Sequence, residues 1–133
     1  MTSFGTLKAD TLTHSTAGSL ATNFVVEGSA KAWTHFTAVS STAIRDSLNT
    51  SSLTDLTTGS TRATFTSAMG NNDYSATGYT NFDATTGEGA FDADISGRGF
   101  GLVGRATTTI QHYSYTIDSA VNDIQIIGDL AGQ

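Results

Sequence analysis

The amino-acid sequence predicts an all-β protein: a single antiparallel β-sandwich or barrel-like domain with an N-terminal arm. The first observation is compositional, because the 133 residues include 24 Thr, 15 Ser and 14 Gly but no Pro. Thr favours strands, since its branched Cβ suits a pleated surface, whereas Gly and Ser favour turns. The second is a series of short segments in which apolar and polar residues alternate. Seven or eight such strands at near-regular spacing are typical of a sandwich or barrel.

Residues 1–27 are predicted to form an N-terminal arm that includes the first strand. The polar run THSTAGS at 13–19 precedes the apolar cluster Asn23-Phe24-Val25-Val26, which we assign to that strand. A polar segment with one apolar cluster is suited to docking onto another protein. We therefore interpret 1–27 as a docking segment and 28–133 as the sandwich domain.

The remaining strands follow in order, each with period-2 alternation and a turn signal after it. They are predicted at 31–36, 43–48, 61–66, 74–79, 99–105, 109–115 and 123–128. Turns are predicted at 38–41, 57–60, 70–73 and 85–89. No helix is predicted, because the best candidate, 47–55, is rich in Ser, Thr and Asn side chains that compete with helical hydrogen bonds.

Composition also excludes several function classes. The chain carries a formal net charge of -6 and only six Lys and Arg residues, too few for a basic surface that would neutralise a nucleic acid backbone. It has no Cys, so it lacks disulfides, thiolate nucleophiles and cysteine zinc sites. Its apolar runs are far shorter than the roughly 20 residues of a membrane-spanning helix. We expect neither a nucleic acid partner nor membrane insertion.

The segment Gly99-Phe100-Gly101-Leu102-Val103-Gly104 has the spacing of a dinucleotide-binding loop. That motif requires a helix directly after the glycines, but the residues from Arg105 to Ile110 are β-branched and typical of a strand. We therefore expect no nucleotide cofactor. The glycines are instead predicted to allow close packing of chains or sheets near Phe100.

The acidic stretch Asp92-Ala93-Asp94-Ile95-Ser96-Gly97 resembles the first half of an EF-hand loop. Val103 occupies the twelfth position, where calcium binding needs a bidentate Glu. A loop with Asp turns is therefore the preferred interpretation, and a cation site with Asp83 or Glu88 is the alternative. No metal site is assigned.

Catalytic patterns are also missing, and no catalytic residue is assigned. The three histidines, His14, His35 and His112, belong to no recognisable motif, and we interpret each as a strand residue facing solvent or an interface. Paired carboxylates for glycoside cleavage remain open, because they meet in space and not in sequence. Trp33 is interpreted as a core or interface anchor, with carbohydrate stacking as the alternative.

The middle of the chain carries a series of short sequence blocks, residues 30–36 (AKAWTHF), 43–55 (AIRDSLNTSSLTD), 64–69 (TFTSAM) and Asp73-Tyr74, and a looser one at residues 122–128 (NDIQIIG). In these blocks the chain resembles a β domain of tail-fibre and other virion proteins of marine and cyanobacterial bacteriophages. The resemblance covers residues 28–80 well. Gly70 stands where the family usually has Pro, and residues 87–104 form a distinct insert.

This resemblance implies a non-enzymatic structural protein on the exterior surface of a virion. The implied partners are further copies of the chain, as a homotrimer, and a larger capsid or tail protein contacted by the arm. A tail fibre-like knob and a capsid decoration are both compatible with it. The alternative is a lectin-like module for host surface glycans, in which Tyr74, Tyr79, Tyr113 and Tyr115 are stacking platforms. A polysaccharide-trimming enzyme is a third hypothesis.

Overall fold

Ten strands and one short helix make up the part of the chain that the computed structural model describes, residues 9–81, 101–114 and 117–132. Their bounds are β1 Thr11–His14, β2 Gly18–Ala21, α1 Thr22–Gly28, β3 Ala30–Thr37, β4 Ala43–Leu48, β5 Thr50–Thr57, β6 Ser60–Phe65, β7 Ser75–Thr80, β8 Gly101–Val103, β9 Thr109–Tyr113 and β10 Asn122–Ile127. Strands β1 and β2 pair as a hairpin that precedes α1.

The other eight strands form two antiparallel sheets that pack as a sandwich, which confirms the predicted fold class. The first sheet has the strand order β4-β3-β10-β7 and the second β5-β6-β9-β8. Strand β10 therefore lies inside the first sheet, paired with β3 on one side and with β7 on the other. The last strand of the chain completes a sheet that the earlier strands begin.

The core lies between the two sheets and follows from the alternation of apolar residues along the strands. In β3, for example, Ala32, Thr34 and Phe36 are buried while the residues between them face outward. The Phe36 ring meets the His112 ring edge-on at 5.2 Å between centroids. The buried apolar residues in contact are Ala32, Phe36, Ala63, Phe65, Met69, Tyr74, Ile110, Ile124 and Ile126.

Asn49 is the corner at which the chain passes from the first sheet to the second. It separates β4 from β5 by one residue and has a left-handed φ of 55°. Its Nδ2 donates to the carbonyls of Lys31 (3.0 Å) and Ser67 (3.1 Å), and its Oδ1 accepts from the Ser67 amide (2.7 Å). Strands that switch sheets need such a bend, and Asn tolerates this conformation better than most residues.

The arm differs from its prediction, because Asn23–Val26 lies in the helix α1 and not in a strand. The preceding strand β2 ends at Ala21, where the Thr22 amide and hydroxyl donate to the carbonyls of Asp10 (2.9 Å) and Ala9 (2.7 Å). The Lys31 ammonium donates to the Val26 carbonyl near the other end of the helix. A cation there satisfies a carbonyl left over by the helix and favours its dipole, a tertiary effect that alternation does not reveal.

Other strands are longer or shorter than predicted. Strand β5 was not predicted, because its Ser and Thr residues carry little apolar alternation. Strand β9 ends at Tyr113, two residues before its predicted end. Strand β8 is Gly101–Val103, so Gly104 and Arg105 of the predicted 99–105 segment lie beyond it, and Gly99 and Phe100 lie outside the described residues. The predicted turn at 85–89 lies outside the described residues.

Among the described glycines, close packing within the chain occurs at Gly128 and not at Gly101 or Gly104, for which the sequence predicted it together with Gly99. Gly99 lies outside the described residues. Among the described residues, a Cβ atom added to Gly101 would have one neighbour within 4 Å, Val103 Cγ1. Their separation of 3.7 Å is an ordinary van der Waals contact. A Cβ on Gly128 would lie 2.7 Å from the Tyr74 Cβ and 3.3 Å from its Cα. Gly104 has a positive φ of 56°, a backbone conformation that glycine adopts without steric cost.

We predict that Gly128→Ala destabilises the fold by about 1–3 kcal/mol, the usual cost of overpacking. Tyr74 cannot easily move away from the added methyl group, because it is buried and its hydroxyl donates to the carbonyls of Ala106 (3.1 Å) and Thr109 (3.2 Å). Urea unfolding measures the effect, and Gly101→Ala is the matched control. Equal stability of the two variants would contradict the close approach.

Asn49→Ala is expected to destabilise the fold by about 3 kcal/mol, because it combines a strained φ with three lost hydrogen bonds. Asn49→Gly restores the backbone freedom without the hydrogen bonds, so it should cost less than Asn49→Ala. Thermal and urea unfolding of both variants separate the two contributions. If Gly is as costly as Ala, the conformational part of the explanation is wrong.

Candidate functional site

A groove on the outer face of the first sheet is the candidate site. It runs over the central strand β10 and has a volume of about 480 Å³. Sites for small molecules commonly have volumes in this range. The residues that line it are Trp33, Thr34, Thr77, Gly78, Tyr79, Asp123, Ile124 and Gln125.

The groove is formed by side chains of three neighbouring strands that point away from the core. Strand register places Trp33, Gln125 and Thr77 side by side in one row across β3, β10 and β7. The next row contains His35, Asp123 and Tyr79. The two rows are two residues apart along each strand. Every second residue of a strand faces the same side of the sheet, so both rows lie on one face.

Trp33 and Tyr79 therefore stand on opposite sides of β10 and in different rows. Two strand spacings and two residues of rise place their backbones about 12 Å apart on a diagonal. Both side chains are only partly exposed. The shorter polar side chains of Asp123 and Gln125 lie between them, so the groove has aromatic sides and a polar floor.

The carboxylate in this floor is oriented by a histidine. His35 Nδ1 lies 2.7 Å from Asp123 Oδ1, and the two side chains are 33% and 45% exposed. This contact leaves Oδ2 of Asp123 as an acceptor for a ligand. Opposite His35 on its other side, strand register places Asp46, whose Oδ1 accepts from the Ser47 amide.

The described residues of the groove do not supply the two carboxyl groups of the glycoside-cleavage hypothesis. Glycoside hydrolysis requires two carboxyl groups that face the scissile bond. Among the described residues, Asp123 is the one carboxylate that lines the groove. Nor do the described residues contain a group of three or more His, Cys, Asp or Glu side chains that could hold a metal ion.

The aromatic residues named by the sequence are dispersed over the fold. Trp33 was predicted to be a core or interface anchor, and the core part is wrong, because the alternation of β3 turns this residue to the outer face. Its role as an interface anchor stays a prediction. Tyr74 cannot be a stacking platform, since it is a 3% exposed core residue. Tyr79 lines the groove, whereas Tyr113 lies in β9 of the other sheet. Tyr115 lies outside the described residues.

The histidines have different environments. His14 lies in β1, and His35 faces outward as predicted. The prediction for His112 is wrong, because this residue is 2% exposed and packs against Phe36 in the core. His112 is itself polar and stands among polar residues, so the sequence does not mark it as a core residue. Its inward direction becomes clear only from the packing of one sheet on the other.

The Asp-rich segment 92–97, its possible partners Asp83 and Glu88, and the first two residues of the glycine segment lie outside the described residues. Asp118 accepts a hydrogen bond from the Gly59 amide at 2.7 Å and thereby holds the β5–β6 turn. In the described part of the chain, no helix is long and apolar enough to cross a membrane.

Sequence reasoning missed Gln125 and Thr77 as functional candidates. Both occupy outward positions of predicted strands, so their direction could have been found from alternation. Their proximity to Trp33 could not, because it depends on which strands become neighbours. Comparison of the chain with protein-family models, curated proteins and solved structures gives no match.

Burial lowers the pKa of His112 from 6.5 to about 4, although a hydrogen bond to the Tyr79 backbone and the charge of Asp123 oppose this change. Protonation therefore favours the unfolded chain, in which the ordinary pKa returns. We predict that this contribution to stability is complete above pH 6.5 and lost as the pH falls towards 4, by about 3 kcal/mol at pH 4.

Urea unfolding between pH 7 and pH 4 measures this loss. His112→Gln is the comparison, because its side chain does not titrate while the carboxylates of the chain are unchanged. The difference in unfolding free energy between the two proteins should shrink below pH 6.5. Parallel pH profiles would contradict a neutral, buried His112.

Proposed function

We propose that this chain is a non-enzymatic structural module of a bacteriophage virion, exposed on the exterior of the particle. In this proposal it assembles as a homotrimer, and its arm attaches it to a larger capsid or tail protein. The resemblance of residues 28–80 to virion β domains supports the assignment to a phage. The observation that carries the attachment role is the distribution of exposed apolar side chains.

These side chains are concentrated in the arm. Leu12, Leu20, Phe24, Val25 and Val26 are between 42% and 64% exposed, and they are five of the nine large hydrophobic residues that the described chain exposes. Helix α1 has no buried residue. Apolar surface left uncovered in this way is typical of a site that another protein covers.

The sandwich offers a route to self-association that is separate from the arm. Strand β5 is an eight-residue edge of the second sheet, and Asp55 is its one charged residue. An edge strand presents unpaired backbone groups, and the absence of Lys on this strand leaves them accessible to another strand. Pairing of copies at this edge would leave the arm available for attachment.

The double substitution Phe24→Ser and Val26→Ser tests the arm. Both side chains are exposed, so the melting temperature of the sandwich should change little, while attachment to the particle should be lost. Immunogold labelling of particles assembled with each form of the protein measures attachment. Val103→Ser, an exposed apolar residue of β8 outside both the arm and β5, is the matched control and should label particles like the unaltered chain.

Sedimentation equilibrium tests the trimer in the same preparations. The unaltered chain should show a mass of about three times 13.8 kDa. A monomer at high concentration, together with normal particle labelling by the arm variant, would overturn the proposal. A trimer with unlabelled particles would refute the virion location alone.

A further inference from the structure

We propose that the groove over β10 binds a neutral saccharide, held between Trp33 and Tyr79 and hydrogen-bonded by Asp123 and Gln125. This inference does not depend on the arm or on the virion assignment. It rests on the arrangement of four outward side chains on three adjacent strands.

The position of the groove decides how a ligand is recognised there. It lies over β10, whose backbone groups are engaged by β3 and β7 on both sides. An extended peptide adds to a sheet through the free backbone groups of an edge strand, which this central position does not supply. A ligand in the groove must therefore be bound through side chains.

The side chains fit a flat ring that has apolar faces and hydroxyl groups at its edge. Aromatic rings offer a large, rigid surface at low cost in conformational entropy, and Trp33 and Tyr79 supply one on each side of the floor. Saccharide rings have this combination, because their C–H groups form faces that stack on aromatic rings. The volume of about 480 Å³ lies in the range of sites for such ligands.

The polar floor selects for neutral hydroxyl groups. An ionised carboxylate only accepts hydrogen bonds, and the contact with His35 holds Asp123 in position while Oδ2 remains to accept from a ligand. The Gln125 amide both donates and accepts, as hydroxyl groups do. A carboxylate in the floor and the net charge of -6 oppose acidic sugars and phosphates.

Trp33 makes the test direct, because it is the one Trp of the chain and stands at the groove. A glycan array that carries neutral hexose and N-acetylhexosamine oligosaccharides, together with uronate- and sialate-bearing ones, identifies the ligand. The strongest neutral glycan is then titrated into the unaltered chain while Trp fluorescence is recorded. We expect a saturable change in emission.

Variants that keep Trp33 locate the binding site. Tyr79→Ala and Asp123→Asn should each weaken binding at least tenfold. Tyr113→Ala is the matched control, because Tyr113 is 36% exposed on the other sheet, and it should bind like the unaltered chain. Circular dichroism melts verify that each variant is folded, and Gln125→Ala replaces any variant that is not.

Three results would overturn the proposal. They are an array without a neutral ligand, a preference for acidic glycans, and equal effects of Tyr79→Ala and Tyr113→Ala. A change of Trp33 emission with protein concentration, in the absence of a glycan, would indicate that a second copy of the chain occupies the groove. Loss of particle labelling in the arm variant has no bearing on any of these results, so the two proposals fail separately.

Discussion

The pairing of β10 with both β3 and β7 is the constraint on which the first sheet depends. Strands β3 and β7 are far apart in sequence, and the last strand of the chain joins them into one surface. Its inward residues Ile124 and Ile126 complete the core, while Asp123 and Gln125 complete the outer groove. Because side chains alternate between the two faces of a strand, the register of β10 fixes both its core residues and its groove residues. A slip of one residue would expose the isoleucines and remove the polar floor together.

The two sheets are held in relation to each other by a few residues with special backbone or packing requirements. Asn49 turns the chain from one sheet into the other, and its amide joins the corner to Lys31 and Ser67. Tyr74 lies against the backbone of Gly128 and reaches Ala106 and Thr109 with its hydroxyl. The contacts of Asn49 and Tyr74 therefore support the fold.

The proposed attachment surface and the proposed recognition surface lie on different parts of the chain. Exposed apolar side chains gather in the arm, whereas the groove combines two aromatic rings with a carboxylate and an amide on the rigid sheet. Side chains on paired strands are held more precisely than those on loops, which suits selective binding. An arm joined to the sandwich near Lys31 can be covered by a partner without changing the face that carries the groove. The two proposed roles are therefore physically compatible in one chain of this size.

The sequence by itself determined the all-β class, most strand positions and the outward direction of His35, because alternation and turn residues are local properties. It did not reveal the helix α1, since the contacts at its two ends come from Asp10 and Lys31, outside the helix. It also misplaced His112 and Tyr74, whose burial depends on which strands face each other across the core. The groove was decided only by tertiary structure. Its residues lie on β3, β7 and β10, and strand pairing over a long separation in sequence is what brings them together.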